Sequence, residues 1–159
     1  MTDPVFSGLQ PASVWAQFAT LCAVPRASKH EAALRERLVR WATERGLNAT
    51  VDAAGNLILR KPATVGYERA PGVVLQGHLD MVCQKNVDSA HDFSCDPIVP
   101  RLRDGWLVTE KTTLGADNGI GVALILAVLE DESIQHGPLE ALLTVDEEAG
   151  MGGARGLAP

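Results

Sequence analysis

Two short apolar runs in this chain stop abruptly at ionisable side chains, and that pattern constrains the fold more than any other feature. Val73-Val74-Leu75 leads into Gly77-His78-Leu79-Asp80-Met81-Val82, and Leu142-Leu143-Thr144-Val145 leads into Asp146-Glu147-Glu148-Ala149-Gly150. Each reads as a buried strand that ends in chemistry. Strand residues i and i+2 point the same way, so His78 and Asp80 are expected on one face, with the carboxylate close enough to orient the imidazole. A neutral imidazole is a common zinc ligand, and a carboxylate behind it fixes which nitrogen faces the metal. Three consecutive acids repel one another, and each makes its neighbours harder to ionise unless a cation sits among them.

A third segment has the same character. Thr112-Thr113-Leu114-Gly115-Ala116-Asp117-Asn118-Gly119-Ile120-Gly121 is a turn of small residues leading into an apolar helix from Val122 to Leu129. Asp117, flanked by Ala116 and Gly119, can approach a metal from a tight turn, because glycine permits positive φ and close contact. Each residue also has an ordinary reading. His78 alone could be a satisfied core histidine, Asp117 a helix cap, and Glu147 and Glu148 an acidic start to a helix. Together they point to a two-metal hydrolase centre.

The rest of the chain alternates as an α/β protein should. Ala12 to Ala23 predicts a helix with Val14, Phe18 and Leu21 on one stripe, ended by Pro25. Ser28-Lys29-His30-Glu31 reads as a capping box that opens a second helix, burying Leu34, Leu38 and Trp41 and stopping near Gly46. Ala49 to Asp52 and Leu57 to Lys61 predict a hairpin, and Arg101 to Thr109 a second one turning at Asp104-Gly105. Between them Gln84 to Pro97 has little periodicity, and such a loop beside a ligand strand is a natural place for substrate contacts. His30 reads as a surface residue, and His91 and His136 as loop residues. Gly150 to Gly156 imitates a dinucleotide fingerprint out of register, since Arg155 stands where a third glycine should, so a structural turn is the better reading. With no internal repeat or linker, the pattern favours a mixed β-sheet flanked by helices.

Composition excludes several classes of partner. The chain has 159 residues, 46% of them hydrophobic, which is enough to bury a core, and a net charge of −6. That charge offers no basic footprint for nucleic acid or an anionic membrane. The run from Val122 to Leu129 is far shorter than a membrane span. Cys22, Cys83 and Cys95 are odd in number and lack C-x-x-C spacing, which argues for a reducing, cytoplasmic compartment. Cys83 is read as a small buried hydrophobe and not as a ligand. Met1-Thr2-Asp3-Pro4 carries no basic flank, so it does not read as a secretory signal, and Asn48-Ala49-Thr50 is then a chance sequon.

The motifs GHLDMVCQKN (Gly77 to Asn86), HDFSCDPI (His91 to Ile98), TTLGADNGIG (Thr112 to Gly121) and HGPLEALLTVDEEAGMGGARGL (His136 to Leu157) closely resemble the aminoacyl-histidine dipeptidases. These are cytosolic Xaa-His dipeptidases of the co-catalytic zinc metallopeptidase family that also holds glutamate carboxypeptidases and aminoacylases. The likeness extends to Gly55-Asn56-Leu57 and Arg60-Lys61-Pro62-Ala63. It implies a zinc-peptidase-like catalytic domain with two divalent ions, zinc first, with manganese or cobalt also fitting the ligands. By that resemblance His78 holds one ion, Asp117 bridges both and Glu148 holds the other. Glu147 is the general base, Asp80 clamps His78, and the Asp117-Asn118 peptide is cis. The implied substrate is a short peptide, above all a dipeptide with C-terminal histidine, and the complete protein is a homodimer with neither nucleic acid nor membrane as partner. In the family a further aspartate and a distant histidine complete the two metal spheres, and both fall beyond Pro159, as does an inserted second domain. Residues 1–159 are therefore expected to be the N-terminal portion of a catalytic domain, weak in metal affinity, catalytically silent alone and prone to associate. An aminoacylase- or carboxypeptidase-type amidohydrolase would share these metal residues, and a non-catalytic folding or partner module is the remaining alternative.

Overall fold

Apolar spacing sets the helices and places the sheet between them. The computed structural model describes residues 4–157. Met1-Thr2-Asp3, read above for their lack of a basic flank, and Pro159 lie outside the described residues. A 3-10 turn at Pro4–Phe6 precedes helices α1 (Ala12–Cys22) and α2 (Ala32–Glu44), then strands β1 (Asn48–Val51), β2 (Leu57–Lys61) and β3 (Val73–His78). A small hairpin, β4 (Arg101–Arg103) and β5 (Trp106–Val108), precedes helix α3 (Ala116–Glu130), strand β6 (Leu139–Thr144) and the short helix α4 (Gly152–Arg155).

Val14, Phe18 and Leu21 are buried along one stripe of α1, and Leu34, Leu38 and Trp41 along one stripe of α2, as their spacing predicts. Helix α2 stops where Gly46 takes φ of +69°. There the Leu47 amide returns to the Ala42 carbonyl at 3.0 Å and the Gly46 amide to Thr43 at 3.1 Å, closing the helix as a Schellman motif. The β4–β5 turn carries positive φ at both Asp104 (50°) and Gly105 (80°), the arrangement that matches hairpin twist.

The four-stranded sheet has the order β1-β2-β6-β3, with β1, β2 and β6 antiparallel in succession and β3 parallel to β6. Helix α3 packs on β3 and β6, α1 packs on α3, and α2 lies against β1 and β2. This is the expected mixed sheet flanked by helices. Leu139, Ala141 and Leu143 of β6 join Leu57 and Leu59 of β2 and Val122 and Leu126 of α3 in the core. The β3–β6 register runs from Val73 opposite Leu139 to His78 opposite Thr144. Parallel strands in that register end together, which brings His78 beside the acidic turn that follows Val145.

Two expectations are corrected. The run Val73-Val74 is not buried: these residues are 47% and 60% exposed, because β3 is the edge of its sheet, with Leu75 partly covered and only Gly77 and His78 fully so. An apolar run does not reveal whether a strand is central or at an edge. Nor does the capping box form. Helix α2 starts after Glu31 with no side-chain cap, and the box residues bond elsewhere, Ser28 to Asp80 and Glu31 to the amide of Asp146.

Candidate metal centre

Asp80 organises the first part of the cluster. Its side chain is fully buried, so its oxygens must find partners within the protein. It accepts the Ser28 hydroxyl at 2.7 Å and the backbone amides of Glu147 at 3.0 Å and Glu148 at 3.1 Å, while His78 Nδ1 lies 3.4 Å from Oδ1. One carboxylate thus anchors the histidine and the turn that carries the acids. A peptide bond beyond the strand reinforces the junction, with the Leu79 amide on the Thr144 carbonyl at 2.8 Å.

Asp117 arrives from the other side. The chain enters α3 through Gly115 with φ of +70°, and Asp117 and Asn118 are non-helical at the head of the helix. The Asp117-Asn118 peptide is cis, as the resemblance implied. The Asn118 amide oxygen tucks against Gly77 and Gly121, where any Cβ would collide with it, so those two positions need glycine for close approach. This presents Asp117 Oδ1 to His78 Nε2 at 3.1 Å, with the aspartate itself 80% exposed. Glu147 Oε2 stands 3.8 Å from the same nitrogen.

Each of His78, Asp117 and Glu148 offers a ligand atom, and the three atoms lie within 4.8 Å of one another. One imidazole nitrogen and two carboxylate oxygens gathered in that compass are the donors that divalent cations take. The electrostatics agree. Burial lowers the affinity of the His78 ring for a second proton, yet the hydrogen bond and charge of Asp80, the bond to Asp117 and the charge of Glu147 outweigh it and push the pKa up to about 9. Burial raises the Asp80 carboxyl, but His78, Ser28 and the two backbone amides hold it well below the usual carboxylate range. Glu148 is pushed up by burial, opposed by His78 and reinforced by Asp117, Glu147 and Asp80. That is the mutual repulsion expected of gathered carboxylates, which a cation among them relieves.

The cluster brings together His78, Asp80, Asp117, Glu147 and Glu148. The other histidines lie apart from it: His30 is exposed, the His91 ring stacks edge-on against Phe93, and His136 Nδ1 lies 2.7 Å from the Gly137 carbonyl. Cys83 is half-buried near the Met81 carbonyl. Gly153 packs so tightly on Asn56 and Val145 that the Gly150 to Gly156 stretch is a structural turn behind the acids. Sequence reasoning missed Arg26, Ser28 and Glu31, whose partners are far away in the chain. The signal for Arg26 was a lone cation in the apolar setting Ala23-Val24-Pro25-Arg26-Ala27.

No family model matches the chain. It is 55% identical over 151 residues to the cytosol non-specific dipeptidase of Escherichia coli strain K12, covering 95% of this chain and 31% of that protein. The crystal structure of aminoacylhistidine dipeptidase from Vibrio alginolyticus superposes with a TM-score of 0.93 at 55% identity, over 96% of this chain and 31% of that one. A tripeptidase from Staphylococcus aureus superposes with a TM-score of 0.75 at 26% identity, over 91% of this chain and 39% of its own. The chain therefore spans about a third of the length of the relatives it matches. Among the described residues no helix is long and apolar enough to cross a membrane.

Proposed function

We propose, on the premise that this chain is of the aminoacylhistidine dipeptidase lineage, that His78, Asp117 and Glu148 hold divalent metal in a centre that hydrolyses short peptides. The observation that supports this reading is the convergence of one imidazole nitrogen and two carboxylates within 4.8 Å at the paired ends of β3 and β6. Two ions would be held by these residues, Asp117 shared between them, His78 serving one and Glu148 the other, with zinc the first choice for this mixed donor set and manganese or cobalt next. Bound there, the metal supplies Lewis acidity toward a peptide carbonyl and toward water. Asp80 keeps the Nδ1 side of His78 occupied, which turns Nε2 toward Asp117. Glu147 takes a proton from the attacking water and delivers it to the leaving amine, the work of a carboxylate poised beside the ligands. The backbone amides of both neighbouring acids share one anchor in Asp80, which fixes the turn from which their side chains reach.

The substrate proposed is an Xaa-His dipeptide, acted on in a cytosolic protein of the relatives' length that contains this sequence and works as a homodimer. Within it, residues 1–159 form one portion of the catalytic domain. The test is role separation. In such a protein Glu147→Gln is expected to lose at least ~100-fold in turnover with metal content near the parent's, as removal of a general base does. Asp117→Ala is expected to lose metal and activity together. Metal analysis beside release of free histidine decides the matter, and near-normal turnover in Glu147→Gln removes it as the base.

A further inference from the structure

The segment joining α1 to α2 touches every loop that carries a member of the cluster, although it contributes no ligand itself. Arg26 is 2% exposed, an unusual position for a guanidinium, and its two terminal nitrogens donate to backbone carbonyls. One terminal nitrogen donates to the carbonyls of Leu79 at 3.0 Å and Asp80 at 3.1 Å, in the loop just past His78. The other donates to the carbonyl of Gly115, two residues before Asp117. The Arg26 carbonyl in turn accepts the Met81 amide at 3.1 Å, so the arginine is gripped by the loop it holds. Gly115 and Gly119 face its terminal nitrogen so closely that a Cβ on either would strike it. Ser28 then bonds Asp80 and Glu31 bonds the Asp146 amide, which extends the tie to the acidic turn.

We infer that Arg26 is a positioning residue that fixes the separation between the His78–Asp80 loop and the Asp117 turn, and thereby sets how tightly the centre holds its cation. The inference rests on the metal reading given above. Its physical basis is the planar fork of arginine, which can serve two separate backbone segments at once. An ammonium group is a single point and can serve one or the other. With Lys at 26 the charge remains, but the two ligand-bearing loops are no longer tied across one rigid group. The three ligand atoms would then spread over a wider range of separations, and binding would have to order them.

The experiment uses the protein of the relatives' length that contains this sequence, with cobalt(II) or zinc(II) alone as probe. Affinity is read by competition against a chromophoric chelator and coordination by the visible absorption of bound cobalt. Arg26→Lys is expected to weaken affinity by about tenfold or more, the usual consequence of losing a group that orients ligands, and to change the cobalt spectrum. Arg45→Lys is the control, since Arg45 bonds the Trp41 carbonyl at 3.2 Å and Glu130 at 2.9 Å, at the end of α3 opposite Asp117. It should stay within about twofold of the parent in affinity. The urea midpoint of Arg26→Lys in chelator should fall, because a buried carbonyl loses its donor, yet stay high enough that the variant is folded where metal is titrated. Unchanged affinity and spectrum in Arg26→Lys would overturn the inference. So would a collapse of its urea midpoint, with Arg26→Gln behaving alike, since Arg26 would then support the fold at large and not the spacing of ligands. If the parent protein binds neither ion, or Asp117→Ala binds as tightly as the parent, the metal reading itself fails and takes the inference with it.

Discussion

The parallel strands β3 and β6 run side by side, and their two ends could hardly be more different. At the N-terminal end Val73 and Val74 are exposed beside Pro138, and with Pro62 and Gly72 they line an open groove. At the C-terminal end His78 and Asp80 are buried and bonded to partners from three other segments. The same ladder of backbone bonds supports both ends. What differs is where the polar groups of the chain collect, and open α/β sheets place their ligands outside the carboxyl ends of the strands. The chemistry of this fold therefore lies where strand direction, not apolar content, gathers side chains.

The largest expected difference between the two ends comes from Asp80→Ala. It leaves two backbone amides and the Ser28 hydroxyl without their acceptor where the carboxylate has no exposed surface, and it strips the charge from beside the His78 ring, whose Nδ1 keeps only the Asp80 carbonyl at 3.1 Å. Removing one partner from a buried charged group of this kind costs about 3 kcal/mol or more. Urea unfolding of the metal-free chain measures it. A loss below about 1 kcal/mol would mean that the C-terminal end is far looser than its bonds imply.

Acidity distinguishes the ends next. In chelator, His78 has its folded pKa raised to about 9, so its contribution to stability is complete below the ordinary imidazole value and drains away as the pH climbs through 9. Asp80 works in the opposite direction: its pKa is depressed, so its contribution is present above the ordinary carboxylate value and lost as the pH falls toward the depressed one. The metal-free chain should thus be most stable between those limits and weaken on the alkaline side, and His78→Gln should erase that alkaline limb. Urea midpoints across the range check both statements, and a flat parent profile through pH 9 would remove the first.

How much of this was legible in the sequence follows from how far each partner lies along the chain. The H-x-D segment, the Asp117 turn and the run of acids are local patterns, and the strands that present them have the expected apolar lead-ins. The mixed sheet was legible for the same reason. Ser28 and Glu31 were not, because their spacing imitates a local capping box. The competition is decided by water. The start of α2 lies at the surface, with Ala32 and Ala33 exposed, and its free amides can be hydrated. Asp80 has no water to turn to, so it takes the Ser28 hydroxyl, and Glu31 is drawn to the Asp146 amide. Arg26 stood out only as a lone cation among apolar residues, and its task was not legible because its bonds go to backbone carbonyls, which carry no sequence signature.

The smallest effect is expected at the opposite end of the same strand. Val74→Thr keeps the branched side chain that suits a strand and adds a hydroxyl, which is costly only where water is excluded. Val74 is 60% exposed and pairs with Glu140, itself only partly buried, so the hydroxyl should stay hydrated. The change in unfolding free energy should fall within ~0.5 kcal/mol of zero, as for an exposed substitution away from any bonded network. Metal affinity and the alkaline limb of the stability profile should not move. Should Val74→Thr instead cost as much as Asp80→Ala, the edge of β3 would be covered in solution, by a second copy or by other sequence, and the contrast between the two ends would belong to the isolated chain alone.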